Sequence, residues 1–135
     1  MKKYNNYVKC LAVLSKADKE KSLIDEIYRM GIIAQFNLTF ELAWKAIKET
    51  LELHGVNLAN TGSPREILKS AFSIGFLSDE DIWLDMLQKR NISIHVYDEN
   101  TALELVNLIF DSYIAAFVNL KDLLYEKISK FDSRE

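Results

Sequence analysis

Turns are scarce in this chain. Its 135 residues include one proline and four glycines, far fewer of these residues than a strand-rich fold needs at its reversals. What remains is apolar residues recurring at spacings of three and four over long stretches, the signature of amphipathic helices. An all-α fold is expected. About half of the residues are hydrophobic, enough to fill one sizeable core at this length, so residues 1–135 are read as a single helical-bundle domain.

Five helices are expected, packed as an antiparallel, up-and-down bundle. The first covers about Lys3 to Ser15, with Tyr4, Val8, Leu11, Ala12 and Leu14 at helical spacing. Ser22 and Asp25 resemble the start signal of a second helix that runs to about His54, where Gly55 stops it. Its apolar stripe is Leu23, Ile24, Ile27, Met30, Ala34, Leu38, Leu42 and Leu51, and Glu41 with Lys45 gives an i,i+4 pair. Gly31 lies inside it at a cost of about 1 kcal/mol relative to Ala, which implies either a closely approaching neighbour or a loosened helix. The segment from Phe36 to Trp44 carries large apolar residues on more than one face, so a second buried face and oligomerisation are expected.

Ser63-Pro64-Arg65-Glu66 combines an N-cap Ser, Pro at the first helical position and Glu at the third. It opens a third helix ending near Gly75. Ser78-Asp79-Glu80-Asp81 opens a fourth, in which Asp85 can reach Lys89 and Arg90 lies near the C-terminal end. Thr101 with Glu104 forms a capping box before a long final helix that is apolar from Leu103 to Ile128.

A net charge of −3, with Lys and Arg scattered, excludes a general basic field for nucleic acid or membrane surfaces. The single cysteine, Cys10, excludes an intramolecular disulfide and fits a reducing cytoplasm. Neither a signal-peptide pattern nor eighteen uninterrupted apolar residues is present, so a soluble cytoplasmic protein is expected. Two histidines and one cysteine, widely separated, offer no metal-ligand spacing, so no metal and no cofactor is expected. His54 reads as a helix C-terminal residue, Cys10 as a small core side chain, and Trp44 and Trp83 as core or interface anchors.

Chemistry concentrates in Arg90-Asn91-Ile92-Ser93-Ile94-His95-Val96-Tyr97. On an ideal helix Asn91 and His95 lie about 40° apart, whereas Arg90 and His95 lie about 140° apart. Arg90 joins His95 only where the helix loosens or its long side chain sweeps around. His can exchange a proton near neutral pH and Arg can hold charge developing on a phosphate. Together they could cleave RNA without a metal, with Asn91 orienting His95 or the phosphate. The plainer reading is that Arg90 and His95 cap helix carbonyls and pair with acids such as Asp98.

The Arg-x4-His spacing with Asn after Arg resembles the motif of the HEPN superfamily, and Tyr97 extends it to the R-x4-H-x-Y form of HepT-like toxins. Phe40-Glu41-Leu42-Ala43-Trp44-Lys45, Ser63-Pro64-Arg65-Glu66, Trp83-Leu84-Asp85-Met86-Leu87 and Tyr97-Asp98-Glu99 resemble the nucleotidyltransferase substrate-binding protein family. The resemblance spans roughly Gly31 to Leu105. It implies a helical bundle that forms a homodimer around a shared cleft, with Arg90 and His95 catalytic, Asn91 supporting and Tyr97 the acceptor of AMP. The implied partner is an MntA-like minimal nucleotidyltransferase that neutralises a metal-independent RNase. The older family name implies an alternative, a subunit that binds a nucleotide or small substrate for the transferase and cleaves nothing.

Overall fold

A computed structural model of the chain describes residues 1–58, 62–93 and 98–132. The elements are α1 (Lys2–Ser15), α2 (Lys19–Ile24), α3 (Glu26–Leu53), α4 (Pro64–Ser73), α5 (Glu80–Ser93), α6 (Glu99–Leu108) and α7 (Ile114–Asp132). A π-helical turn over Ile109–Tyr113 joins α6 to α7 as one continuous helix. No strand occurs among the described residues.

Helix α3 is the hub, packing against α1, α2, α4, α5, α6 and α7. Side-chain contacts set the directions. Glu49 meets the backbone of Lys3 while Thr39 meets Cys10, so α1 and α3 are antiparallel. Glu41 meets Arg90 while Asn37 meets Ser93, so α3 and α5 are antiparallel too. Asp85 meets Tyr113 and Trp83 meets Phe117, which reverses the chain again between α5 and the last helix. The four long helices therefore run up and down in sequence, the arrangement expected for helices joined by short connections.

Phe36, Phe40, Ile47, Leu51, Met86, Ile109 and Phe117 fill the centre. Phe36 stacks on Tyr113 at 5.4 Å between centroids, and Trp83 meets Phe117 edge-on at 5.8 Å. The segment Glu99–Phe131 is long and apolar enough to cross a membrane by length and composition. In the bundle, however, its Leu105, Val106, Ile109, Phe117, Leu120 and Leu124 build the core.

Several boundaries differ from the sequence reading. The second expected helix is two. Asp18 caps α2 by accepting from the Lys21 amide, and Asp25 breaks the run with extended backbone and caps α3 by accepting from the Tyr28 amide. Ser22 caps nothing: it is buried and donates to the Lys19 carbonyl. Arg29 locks this elbow, its buried guanidinium donating to the carbonyls of Ser22 and Leu23, each at 3.0 Å. Asp98, not Thr101, caps the last helix by accepting from the Thr101 amide. The expected Ser63 cap is present, accepting from the Glu66 amide, and Gly55 and Gly75 end their helices at φ values of +84° and +80°.

The apolar stripe assigned to the long helix is largely turned outward. Ile24, Ile27, Met30, Ala34 and Leu38 are exposed, while Ile32, Ile33, Phe36, Phe40, Ala43, Ile47 and Leu51 face the core. Both faces of α3 are apolar, so periodicity alone could not rank them. A Cβ at Gly31 would meet nothing within 4 Å and α3 is continuous there, so neither reason inferred for that glycine operates inside the protomer.

Candidate active site

Arg90 lies one turn from the C-terminal end of α5, on the side that faces α3. Its Nη2 donates to Glu41 Oε2 at 2.8 Å and its Nη1 donates to Asn91 Oδ1 at 3.1 Å. Among the described residues, these contacts use two of the five N–H donors of the guanidinium and leave three. The side chain is 34% exposed, so the cation is anchored from within the bundle and open outward.

Glu41 is itself held in place. The indole Nε1 of Trp44 donates to Oε2 at 3.1 Å, and Lys45 Nζ lies 3.4 Å from Oε1, the i,i+4 pair expected from the sequence. Burial pushes the Glu41 carboxyl pKa up, but the Trp44 hydrogen bond and the charges of Arg90 and Lys45 outweigh it and leave it below the usual carboxylate range. Glu41 is ionised at neutral pH and fixes the orientation of Arg90 electrostatically. Arg90 thus pairs with an acid, as the plainer sequence reading allowed, but among the described residues that acid is Glu41 and not Asp98.

One turn further along α5, Ser93 is buried and its hydroxyl lies 2.9 Å from both Asn37 Oδ1 and the Arg90 carbonyl. This ties the end of α5 to α3 just before the motif continues. His95 and Tyr97 lie outside the described residues, as does the expected shared face of Asn91 and His95. Arg90 and Asn91 are brought together directly.

A groove of about 710 Å³ opens beside Arg90, between the start of α4 and α5, lined among others by Arg65, Asp81, Asp85, Gln88, Arg90 and Asn91. Asp85 is anchored on both carboxylate oxygens. Lys89 Nζ lies 3.2 Å from Oδ1, the i,i+4 contact expected from the sequence, and the Tyr113 phenol donates to Oδ2. Burial and the adjacent carboxylate push the Tyr113 phenol well above its ordinary pKa, so it remains a donor.

Sequence reasoning missed Glu41, Ser93, Asn37 and Tyr113 as site residues. In the sequence Glu41 stands as a helix partner of Lys45 and within the Phe40–Lys45 segment of the family resemblance, neither of which ties it to Arg90. Its link to Arg90 joins positions 49 residues apart, which no local spacing reveals. The remaining residues match their readings. Trp44, Trp83 and Cys10 are buried, and His54 caps α3 with Nε2 3.0 Å from the Lys127 carbonyl oxygen and its ring against Phe76 and Phe131.

The chain is thus an up-and-down helical bundle that presents a carboxylate-anchored arginine beside an open polar groove. Residues 2–126 match the family described as nucleotidyltransferase substrate binding protein like, and the chain belongs to that family. It is 28% identical over 108 residues to a Haemophilus influenzae protein named "Probable ribonuclease HepT", covering 78% of this chain and 74% of that one. A crystal structure of a Thermus thermophilus protein shares the fold with a TM-score of 0.66 and 23% identity, covering 93% of this chain and 98% of that one.

Proposed function

We propose that this chain is a cytoplasmic, metal-independent endoribonuclease, the toxin of a pair whose partner nucleotidyltransferase neutralises it by transferring AMP to Tyr97. The observation that carries the reading is the guanidinium of Arg90, held by Glu41 and Asn91 with donors to spare beside an open groove. The similarity to a ribonuclease of the HepT type supports it. In the proposed reaction a ribose 2′-OH loses its proton to His95 and attacks the adjacent phosphorus. The P–O5′ bond breaks, the leaving 5′-oxygen takes the proton back from His95, and the products end in a 2′,3′-cyclic phosphate and a 5′-OH. Arg90 stabilises the charge that builds on the non-bridging oxygens.

The active form in this reading is a homodimer. Ile27, Met30, Gly31, Ala34 and Leu38 make an exposed apolar stripe along α3, which Ile24 extends from the end of α2 and which leads to Glu41 and hence to Arg90. The only charged residue between Ile27 and Leu38 is Arg29, which is buried. An uncharged, self-complementary stripe suits a second copy around a twofold axis, which would bring two Arg90 sites to one cleft.

A second reading is favoured by the family's description and by the volume of the groove, which suits a nucleotide: a subunit that binds a nucleotide for the transferase and cleaves nothing. Incubation with defined RNAs in EDTA separates the two. The ribonuclease reading expects cleavage to 2′,3′-cyclic phosphate ends that is lost in Arg90→Ala and His95→Ala. Absence of cleavage by folded, dimeric, unmodified protein, with nucleotide binding that tolerates His95→Ala, would establish the second.

A further inference from the structure

The groove beside Arg90 contains an acidic side chain, Asp85, that the proposed cleavage chemistry does not use. Asp85 is held on both oxygens from behind, Oδ1 by Lys89 at 3.2 Å and Oδ2 by the Tyr113 phenol. Tyr113 cannot drift: it is 1% exposed, stacked on Phe36, and closes the π-helical turn Ile109–Tyr113. Such turns re-aim the side chains of a helix and occur frequently at functional sites. The Asp85 side chain is nevertheless 40% exposed, and each carboxylate oxygen has a second acceptor position. A fixed carboxylate therefore shares the groove with a fixed guanidinium.

A phosphate needs the guanidinium and is repelled by the carboxylate, which instead accepts N–H or O–H donors. A nucleotide supplies both kinds of group. The bases differ in what they offer. Guanine carries two adjacent donors on its Watson–Crick edge, N1–H and N2–H, spaced to meet both oxygens of a carboxylate. Uracil places its single N3–H between two carbonyl oxygens that a carboxylate repels. Edge recognition of this kind is the usual way that an unstacked base is read.

We propose that Asp85 is a base-recognising residue and that the groove is a subsite for a guanine nucleotide whose phosphate reaches Arg90. Its consequence for cleavage rests on the ribonuclease reading; its consequence for affinity does not.

The test is calorimetric titration of 5′-GMP and 5′-UMP, in EDTA, into the full chain as wild type, Asp85→Asn and Tyr113→Phe, followed by mapping of RNA cleavage sites. The wild type is expected to bind GMP about tenfold or more tightly than UMP. Asp85→Asn brings the ratio close to one, chiefly by weakening GMP. Tyr113→Phe keeps the carboxylate and so keeps a preference in the same direction, reduced in size. A wild type that binds neither nucleotide, or both equally, overturns the proposal even where Asp85→Asn does not fold. So does a folded Asp85→Asn that weakens both nucleotides while leaving their ratio intact, because Asp85 is then structural only. If the wild type cleaves RNA, cuts beside guanine predominate and lose that bias in Asp85→Asn. A GMP preference with no cleavage sinks the ribonuclease reading and leaves the guanine subsite standing.

Discussion

The anchor of Arg90 is a residue 49 positions earlier in the chain, and its protonation state is readable in stability. The Glu41 carboxyl titrates below the usual range because Trp44, Arg90 and Lys45 favour its charged form by more than burial disfavours it. A depressed folded-state pKa contributes stability that is present above the unfolded value and is lost as pH falls through the folded value. Replacement by Gln preserves the shape but removes the charge. The stability gap between wild type and Glu41→Gln, from urea unfolding, should therefore be largest near neutral pH and close as pH drops below the ordinary glutamate value of about 4.3. A gap that stays constant across that window would mean that the ion pair contributes nothing. Arg90, Asn91, His95 and Tyr97 were singled out in the sequence because unusual residue types interrupt an ordinary helix. Glu41 was not, because a Glu four residues before a Lys already has a local explanation.

At the scale of elements, legibility followed how local each signal is. Ser63-Pro64-Arg65-Glu66 was readable because a cap, a proline and a third-position glutamate act within one turn, and the Ser63 hydroxyl does accept from the Glu66 amide at 3.2 Å. Ser63→Ala should therefore destabilise the protein by about 1 kcal/mol in urea unfolding without changing the fold. An effect near zero would show that solvent replaces the cap. The start of α3 was misplaced because three cap-type residues, Asp18, Ser22 and Asp25, compete within eight positions. What decides is Arg29, whose buried donors need the carbonyls of Ser22 and Leu23 and so require a bend between them and α3. The π-helical turn was not readable at all. It answers to the contacts of Tyr113 with Phe36 and Asp85, on two other helices.

At the scale of the whole molecule, α3 carries an exposed apolar face. Ile27 is 86% exposed and Leu38 is 50% exposed, and Ile24 at the end of α2 is also 86% exposed, an apolar display that a lone protomer in water gains nothing from. Gly31 lies in the middle of the stripe with open space around it. In an isolated protomer Gly31→Ala should stabilise the helix by about 1 kcal/mol, since nothing obstructs a Cβ and glycine is a poor helix former. Against a closely packed second copy the same methyl group would instead meet the partner helix and weaken association. Leu38→Asp places a charge beside the same stripe, and burying it unpaired is costly enough to shift the equilibrium to monomer. Light scattering at micromolar concentration should accordingly give twice the 15.6 kDa protomer mass for the wild type and close to the protomer mass for folded Leu38→Asp. Gly31→Ala should dissociate at higher concentration than the wild type. A wild type that scatters as a monomer, with Gly31→Ala simply more stable to heat, would remove the second copy from the account. Each groove would then act alone, and the apolar face of α3 would be open to the proposed nucleotidyltransferase partner instead.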